Sequence, residues 1–186
     1  MAIRQMIYGG IFTLACASTA LAAMPSDTVM VGGAPMYPSK NIVQNAVNSK
    51  DNTTLVAAVK AAGLVSALEG KGPFTVFAPT NEAFDALPKG TVQTLLEPAN
   101  KAKLTAVLLY HVVPGDFTYD TLAADIAGHG GMVKLKTLQG GYLTFAMNGA
   151  HNITVTDDHG GTAQIETYDV NQSNGVIQVI DRVLLP

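Results

Sequence analysis

Apolar positions change period part-way along the chain. From Asn41 to about Ile126 they recur at helical spacing, and from Met132 onward they alternate with polar ones. Ile42, Val43, Ala46 and Val47 mark one helix face. Leu55, Val56 and Val59 mark the next. Asn52 or Thr53 stands ready to cap that helix, because a short side-chain oxygen accepts an orphan N–H at a helix start. Gly63 sits where a left-handed C-terminal cap belongs. Leu64, Val65 and Leu68 predict a further short turn, broken by Gly70-Lys71-Gly72-Pro73. Phe74–Ala78 is aromatic and β-branched, which predicts a strand ending at Pro79. Thr80 is placed to cap a short helix with Ala83, Phe84 and Leu87 on its apolar side. Glu82 falls in its first turn, where an acidic side chain suits the helix dipole. Thr91 is placed to cap a helix carrying Val92, Leu95 and Leu96. Pro98 ends it, and Asn100 is placed to cap a longer helix through Leu104, Val107 and Leu108.

In the second half Val133, Leu135 and Thr137 alternate with Lys134 and Lys136. Gln139-Gly140-Gly141 predicts a tight turn into a strand over Tyr142–Met147. Asn148-Gly149 is a strong hairpin signal. Strands over Asn152–Thr156, Thr162–Glu166 and Gly175–Leu184 follow, with Asp157–Gly161 as another hairpin loop. Gly128-His129-Gly130-Gly131 reads as a flexible link between the halves, not as a phosphate cradle, since a strand follows it where a cradle needs a helix. Helices in the first half and strands mainly in the second make an α+β fold. No repeat is visible, so one domain is expected over 41–186.

The chain ahead of that domain reads differently. Residues 1–22 carry one charge, Arg4, then an apolar run from Ile7 to Ala17 and the small-x-small pattern Ala20-Leu21-Ala22. This is the pattern of a secretory signal peptide, too short for the ~20 apolar residues of a membrane span. No other apolar run reaches spanning length, so no transmembrane segment is expected in the mature chain. Localisation is therefore expected to be extracellular or periplasmic. The single cysteine, Cys16, lies inside the segment, and its removal would leave no disulfide and no thiolate chemistry. Thr13-Leu14-Ala15-Cys16 loosely resembles a lipoprotein site, the alternative in which Cys16 is a lipidated N-terminus. Residues 23–40 are dense in Pro and Gly and read as a flexible leader, with a strand docked on the body as the other reading.

Composition narrows the function. Apolar residues make up 48% of 186 and charged residues 13%, well under the ~25% of an ordinary domain, so the chain must fold a substantial core. Arginine occurs only at Arg4 and Arg182, and the lysines are scattered. That excludes the clustered cations that nucleic-acid binding needs. There is no G-x-S-x-G elbow and no H-E-x-x-H, and no catalytic residue is assigned. His129, His151 and His159 read as solvated loop residues, since no pair has the spacing that sets two ligands on one helix face. No metal and no cofactor are expected. Asn52-Thr53-Thr54, Asn152-Ile153-Thr154 and Asn171-Gln172-Ser173 match the N-glycosylation pattern.

Three segments together resemble one known family. Thr75-Val76-Phe77-Ala78-Pro79-Thr80-Asn81-Glu82-Ala83-Phe84 resembles the first signature of fasciclin (FAS1) domains. Val107–Gly115, with Tyr110-His111, resembles the second, and Asn174–Pro186 resembles the closing strand. The resemblance is to exported bacterial single-domain proteins related to beta-Ig-H3. It implies a β-sandwich or wedge packed against several short helices, and a role in cell adhesion or matrix interaction. The implied partner is a cell-surface or matrix protein or glycan, and no enzymatic activity is implied. The closing strand has Gln178 where the family often has His, so any titratable role there is absent.

The motif residues Thr80, Asn81, Phe84, Tyr110 and His111 are the candidate site. Each has two readings. Thr80 and Asn81 form a recognition loop or cap a strand-to-helix junction. Tyr110 and His111 face a partner, or lie buried with the imidazole bonded to backbone groups. The function alternatives to adhesion are a binding protein for a small apolar or carbohydrate ligand and a passive envelope component. A closed apolar pocket would favour the ligand reading. A packed interior with exposed apolar groups would favour a protein partner.

Overall fold

A computed structural model describes residues 28–186. The expected signal peptide, 1–22, and Cys16 lie outside the described residues, as do 23–27. From Thr28 the flexible leader expected over 23–40 is corrected. β1 (Val29–Val31) and β2 (Ala34–Met36) pair as an antiparallel hairpin, and Val31 and Met36 are buried in the body. The glycines taken for breakers are its two-residue turn. Gly32 and Gly33 have φ of 58° and 73°, and a turn of this kind needs positive φ at both central positions. Pro35 is tolerated because both strands of a two-stranded ribbon are edges.

Short helices follow: α1 (Ile42–Ala46), α2 (Thr53–Ala62) and α3 (Val65–Leu68). β3 (Phe74–Pro79) leads into α4 (Asn81–Asp85), α5 (Thr91–Leu96), a 3-10 turn and α6 (Lys101–Tyr110). After β4 (Val112–Pro114) and α7 (Tyr119–Gly128) come five strands. These are β5 (Met132–Lys136), β6 (Tyr142–Asn148), β7 (Asn152–Thr156), β8 (Thr162–Gln172) and β9 (Gly175–Ile180). Local side-chain caps mark the starts of α1, α4 and α7. Asn41 and Gln44 bond reciprocally at the start of α1, Thr80 Oγ1 accepts from Ala83 N–H at 3.2 Å, and Gly63 ends α2 in the left-handed conformation. Two expected caps are corrected. Gly90, not Thr91, precedes α5, and the Asn100 side chain reaches back to Thr94 O instead of into α6. The last strand ends at Ile180, short of the expected Leu184, and β8 runs on past Glu166.

Seven strands form one sheet in the order β4-β3-β9-β8-β7-β6-β5, antiparallel except for the β3–β9 pair. The sheet curls into a wedge, so that Phe77 of β3 and Phe145 of β6 meet with ring centroids 5.1 Å apart. Leu138 N–H donates to Val112 O at 2.8 Å, linking the two ends of the sheet. Two cores result. Val76, Ala78, Ile177 and Val179 face the helices, whereas Phe77 and Ile180 face the strand-lined core with Leu143, Ile153 and α7. β8 serves both. Ala163 and Ile165 enter the strand-side core and Val170 the helical one, because register shifts between them change the parity of the strand. Asp169, within that irregular stretch, has φ 56°.

Candidate functional site

Tyr110 ends α6 and His111 follows as its C-cap, so one turn of helix aims both side chains inward. Tyr110 is wholly buried. Its hydroxyl donates to Tyr142 O at 2.7 Å and accepts from Asp158 N–H at 3.0 Å. Burial, with the Asp158 and Asp157 carboxylates nearby, pushes the phenol up to about 12. His111 is 3% exposed. Its Nε2 accepts from Leu184 N–H at 3.0 Å, so Nδ1 carries the proton and donates to Val107 O at 2.8 Å. Both ring nitrogens are committed in the neutral form, and burial holds the imidazole down at about 4. The pair is thus a bracket between α6, the β6 edge and the C-terminal segment. It exposes no general base.

Thr80 and Asn81 sit on the other side of the sheet's central strands. Asn81 Oδ1 accepts from Thr54 N–H at 3.0 Å and from Thr53 Oγ1 at 3.1 Å, and its Nδ2 donates to Lys50 O at 2.8 Å. It therefore caps α2 from a distant element. Asn52 occupies the cap position of α2 but makes no cap bond, donating instead to Pro79 O at 2.9 Å. Phe84 is buried in the helical-side core. The five motif residues do not converge on one point. Thr80, Asn81 and Phe84 hold the helical side, and Tyr110 and His111 hold the opposite edge.

Residues outside the five motif positions carry weight as well. Asp157 is buried, and its carboxylate accepts from Gly161 N–H at 2.7 Å, His159 N–H at 3.0 Å and Leu185 N–H at 3.1 Å. The Asp-x-x-Gly-Gly run in that hairpin was the available signal, since Asp bonds its own following backbone in such turns. Asp169 accepts from Tyr119 N–H at 2.8 Å, at the start of α7, and from Gln178 Nε2 at 3.0 Å. Gln178 is fully buried and also donates to Phe117 O and accepts from Asp169 N–H, both at 3.0 Å. Asn52, in the first glycosylation tripeptide, is buried, whereas Asn171 is exposed. Among the described residues no cluster of three metal-ligating side chains forms. None of their helices is long and apolar enough to cross a membrane.

Around the Tyr110–His111 bracket three large apolar side chains face solvent. Leu138, Tyr142 and Leu185 are 42%, 46% and 39% exposed. Tyr142 and the segment of Leu185 are bonded to that bracket, and Leu138 N–H donates to Val112 O beside it. On the helical side an apolar cavity of about 50 Å³ lies between α1, α2 and the sheet.

The family model of the fasciclin domain matches residues 50–186. The chain belongs to the fasciclin domain family. Protein sll1483 of Synechocystis is 44% identical over 177 residues, covering 94% of this chain and 91% of that protein. Transforming growth factor-beta-induced protein ig-h3 of Sus scrofa is 42% identical over 132 residues. That match covers 71% of this chain but only 17% of the larger protein. A solved FAS1 domain pair from the insect cell adhesion molecule fasciclin I superposes with a TM-score of 0.70 at 18% identity. The overlap is 79% of this chain and 51% of that one. That likeness establishes the FAS1 fold, a mixed sheet wedge with several short helices. The hairpin of residues 29–36 and helix α1 precede the matched region, yet Val31, Met36 and Ile42 belong to the same core as the rest of the FAS1 domain.

Proposed function

We propose that this chain is an exported, non-enzymatic adhesion module that binds a cell-surface or matrix protein or glycan. The observation that carries this reading is the rim of Leu138, Tyr142 and Leu185. Large exposed apolar groups on a rigid frame are what a partner covers, and an aromatic among them is a common anchor. The bracket below supplies the rigidity: Tyr110 bonds the Tyr142 and Asp158 backbone, and His111 bonds Leu184. On this reading Tyr110 and His111 act by holding the rim in shape. The structural neighbour, a domain pair from an insect cell adhesion molecule, points the same way.

Beads coated with the protein should adhere saturably to cells or to matrix components, and free protein should compete. Leu138→Ser with Tyr142→Ser should abolish adhesion while leaving the melting temperature within a degree or two. Adhesion that survives this double change would sink the reading. A second reading, an extracytoplasmic binding protein for a small ligand, is favoured by the apolar cavity on the opposite side of the sheet.

A further inference from the structure

The cavity between helices and sheet has a chemistry of its own. Its floor is aliphatic, from Val76 and Ile177, and its wall reaches the surface at half-buried Val43 and Ala46 of α1 and at Val56 and exposed Lys60 of α2, which we take as its mouth. Three polar side chains reach its wall, and all three are spent on protein partners. Ser49 Oγ donates to Asn52 Oδ1 at 2.9 Å, Asn52 Nδ2 donates to Pro79 O at 2.9 Å, and both nitrogens of His111 are bonded. A water inside would need two to four polar partners and finds none, so the interior selects an apolar guest. A water-sized guest takes about 10–15 Å³ of such space, so about 50 Å³ accepts about three to five methylene-sized groups.

The mouth adds a sign. Lys60 is the only charged residue in α1, α2 and α3, and it is the one exposed cation on the cavity wall. A guest whose tail fills the cavity would leave its other end beside that ammonium. We infer that this cavity binds the tail of a short alkyl carboxylate, with Lys60 holding the head group at the mouth. The inference rests on the small-ligand reading and is independent of the adhesive rim.

Calorimetric titration of the purified protein with the series propanoate to octanoate, and with the matching n-alkanols, tests it. Affinity for the acids should rise about fourfold per methylene as far as about hexanoate and then level off. Acids should bind at least tenfold more tightly than alcohols of equal length. Lys60→Glu should erase that preference, leave the alcohols unchanged and admit n-alkylammonium ions. Val56→Phe, which fills the mouth, should abolish binding of both series. If that variant does not melt cooperatively, Ala46→Leu on the facing rim serves instead. Acids and alcohols binding alike, unaffected by Lys60→Glu, would overturn the head-group assignment while leaving a small apolar ligand in place. Binding that survives the filled mouth places the ligand elsewhere and overturns the proposal. No binding by any chain overturns both the proposal and the small-ligand reading.

Discussion

On the strand side of the sheet Leu143, Phe145, Ile153 and Val155 are wholly buried, and Phe77 packs against Phe145 at 5.1 Å. On the helical side the neighbouring positions of the same central strands meet short helices and leave about 50 Å³ empty. The difference follows from how each side is built. Strands in register fix side chains at regular spacing, so facing rows interdigitate. Helices of four to ten residues, too short to be stable alone, meet the sheet at several angles and fill the gaps between them with Val, Leu and Ala. One sheet thus carries a solid core on one face and a yielding one on the other.

Truncation on the two sides should break or confirm that contrast most directly. Phe145→Ala should cost about 3–5 kcal/mol in urea-induced unfolding. Leu55→Ala, beside the cavity, should stay near the low end of the ~2–5 kcal/mol range, because its neighbours have room to relax. Equal losses would mean that the two faces pack alike.

His111 stands at the seam, lining the cavity on one side and bonding Leu184 of the strand-side core on the other. Its native pKa of about 4 lies below the 6.5 of the unfolded chain. The unfolded state therefore gains a proton first. This stability is fully present above pH 6.5 and is lost as pH falls toward about 4, by about 3 kcal/mol in all. His111→Gln should be less stable than the parent at pH 8 and should lose this part of the slope. A slope unchanged by the substitution would assign it to other groups.

The smallest expected effects compare two caps on the helical side. Asn81→Ala removes three bonds that tie α2 to the end of β3 and should cost about 1–2 kcal/mol. Thr80→Ala removes one local bond and should cost ~1 kcal/mol. Hydrogen exchange in α2 should quicken in the first variant and not in the second. The reverse order would show that α2 is held by packing alone.

The sequence showed what depends on neighbours along the chain. Thr80 as a cap, Gly63 as a left-handed stop, the period-two strands and the Asn148-Gly149 turn are all local, and each is in place. What it hid depends on distant partners. Asn52 looks like the cap of α2, but the bond comes from Asn81, which the β3–α4 junction brings alongside. Gly32-Gly33 read as breakers because Pro35 and Pro38 stood near, although the same pair between apolar residues is a hairpin turn. β8 outran its predicted end because Asp169, in a left-handed conformation, lets the strand bend where a period-two pattern lapses. For the candidate site, Tyr110 and His111 could be found by motif. Asp157 carried a local signal in its Asp-x-x-Gly-Gly turn. The exposed rim and the cavity carried none, since they are properties of how segments far apart in the chain meet.

The parallel pairing of β3 with β9 sets an order of events. Phe74 lies opposite Gly175, and β9 separates β3 from β8 in the sheet. A chain that emerges N-terminus first therefore cannot join the β4–β3 pair to the β8–β7–β6–β5 strands until β9 is free. Everything made before β9 leaves β3 and β8 with an open edge each. Such long-range closure is slow and all-or-none. With this topology the two parts of the sheet stay separate until β9 arrives, and that one strand then joins them.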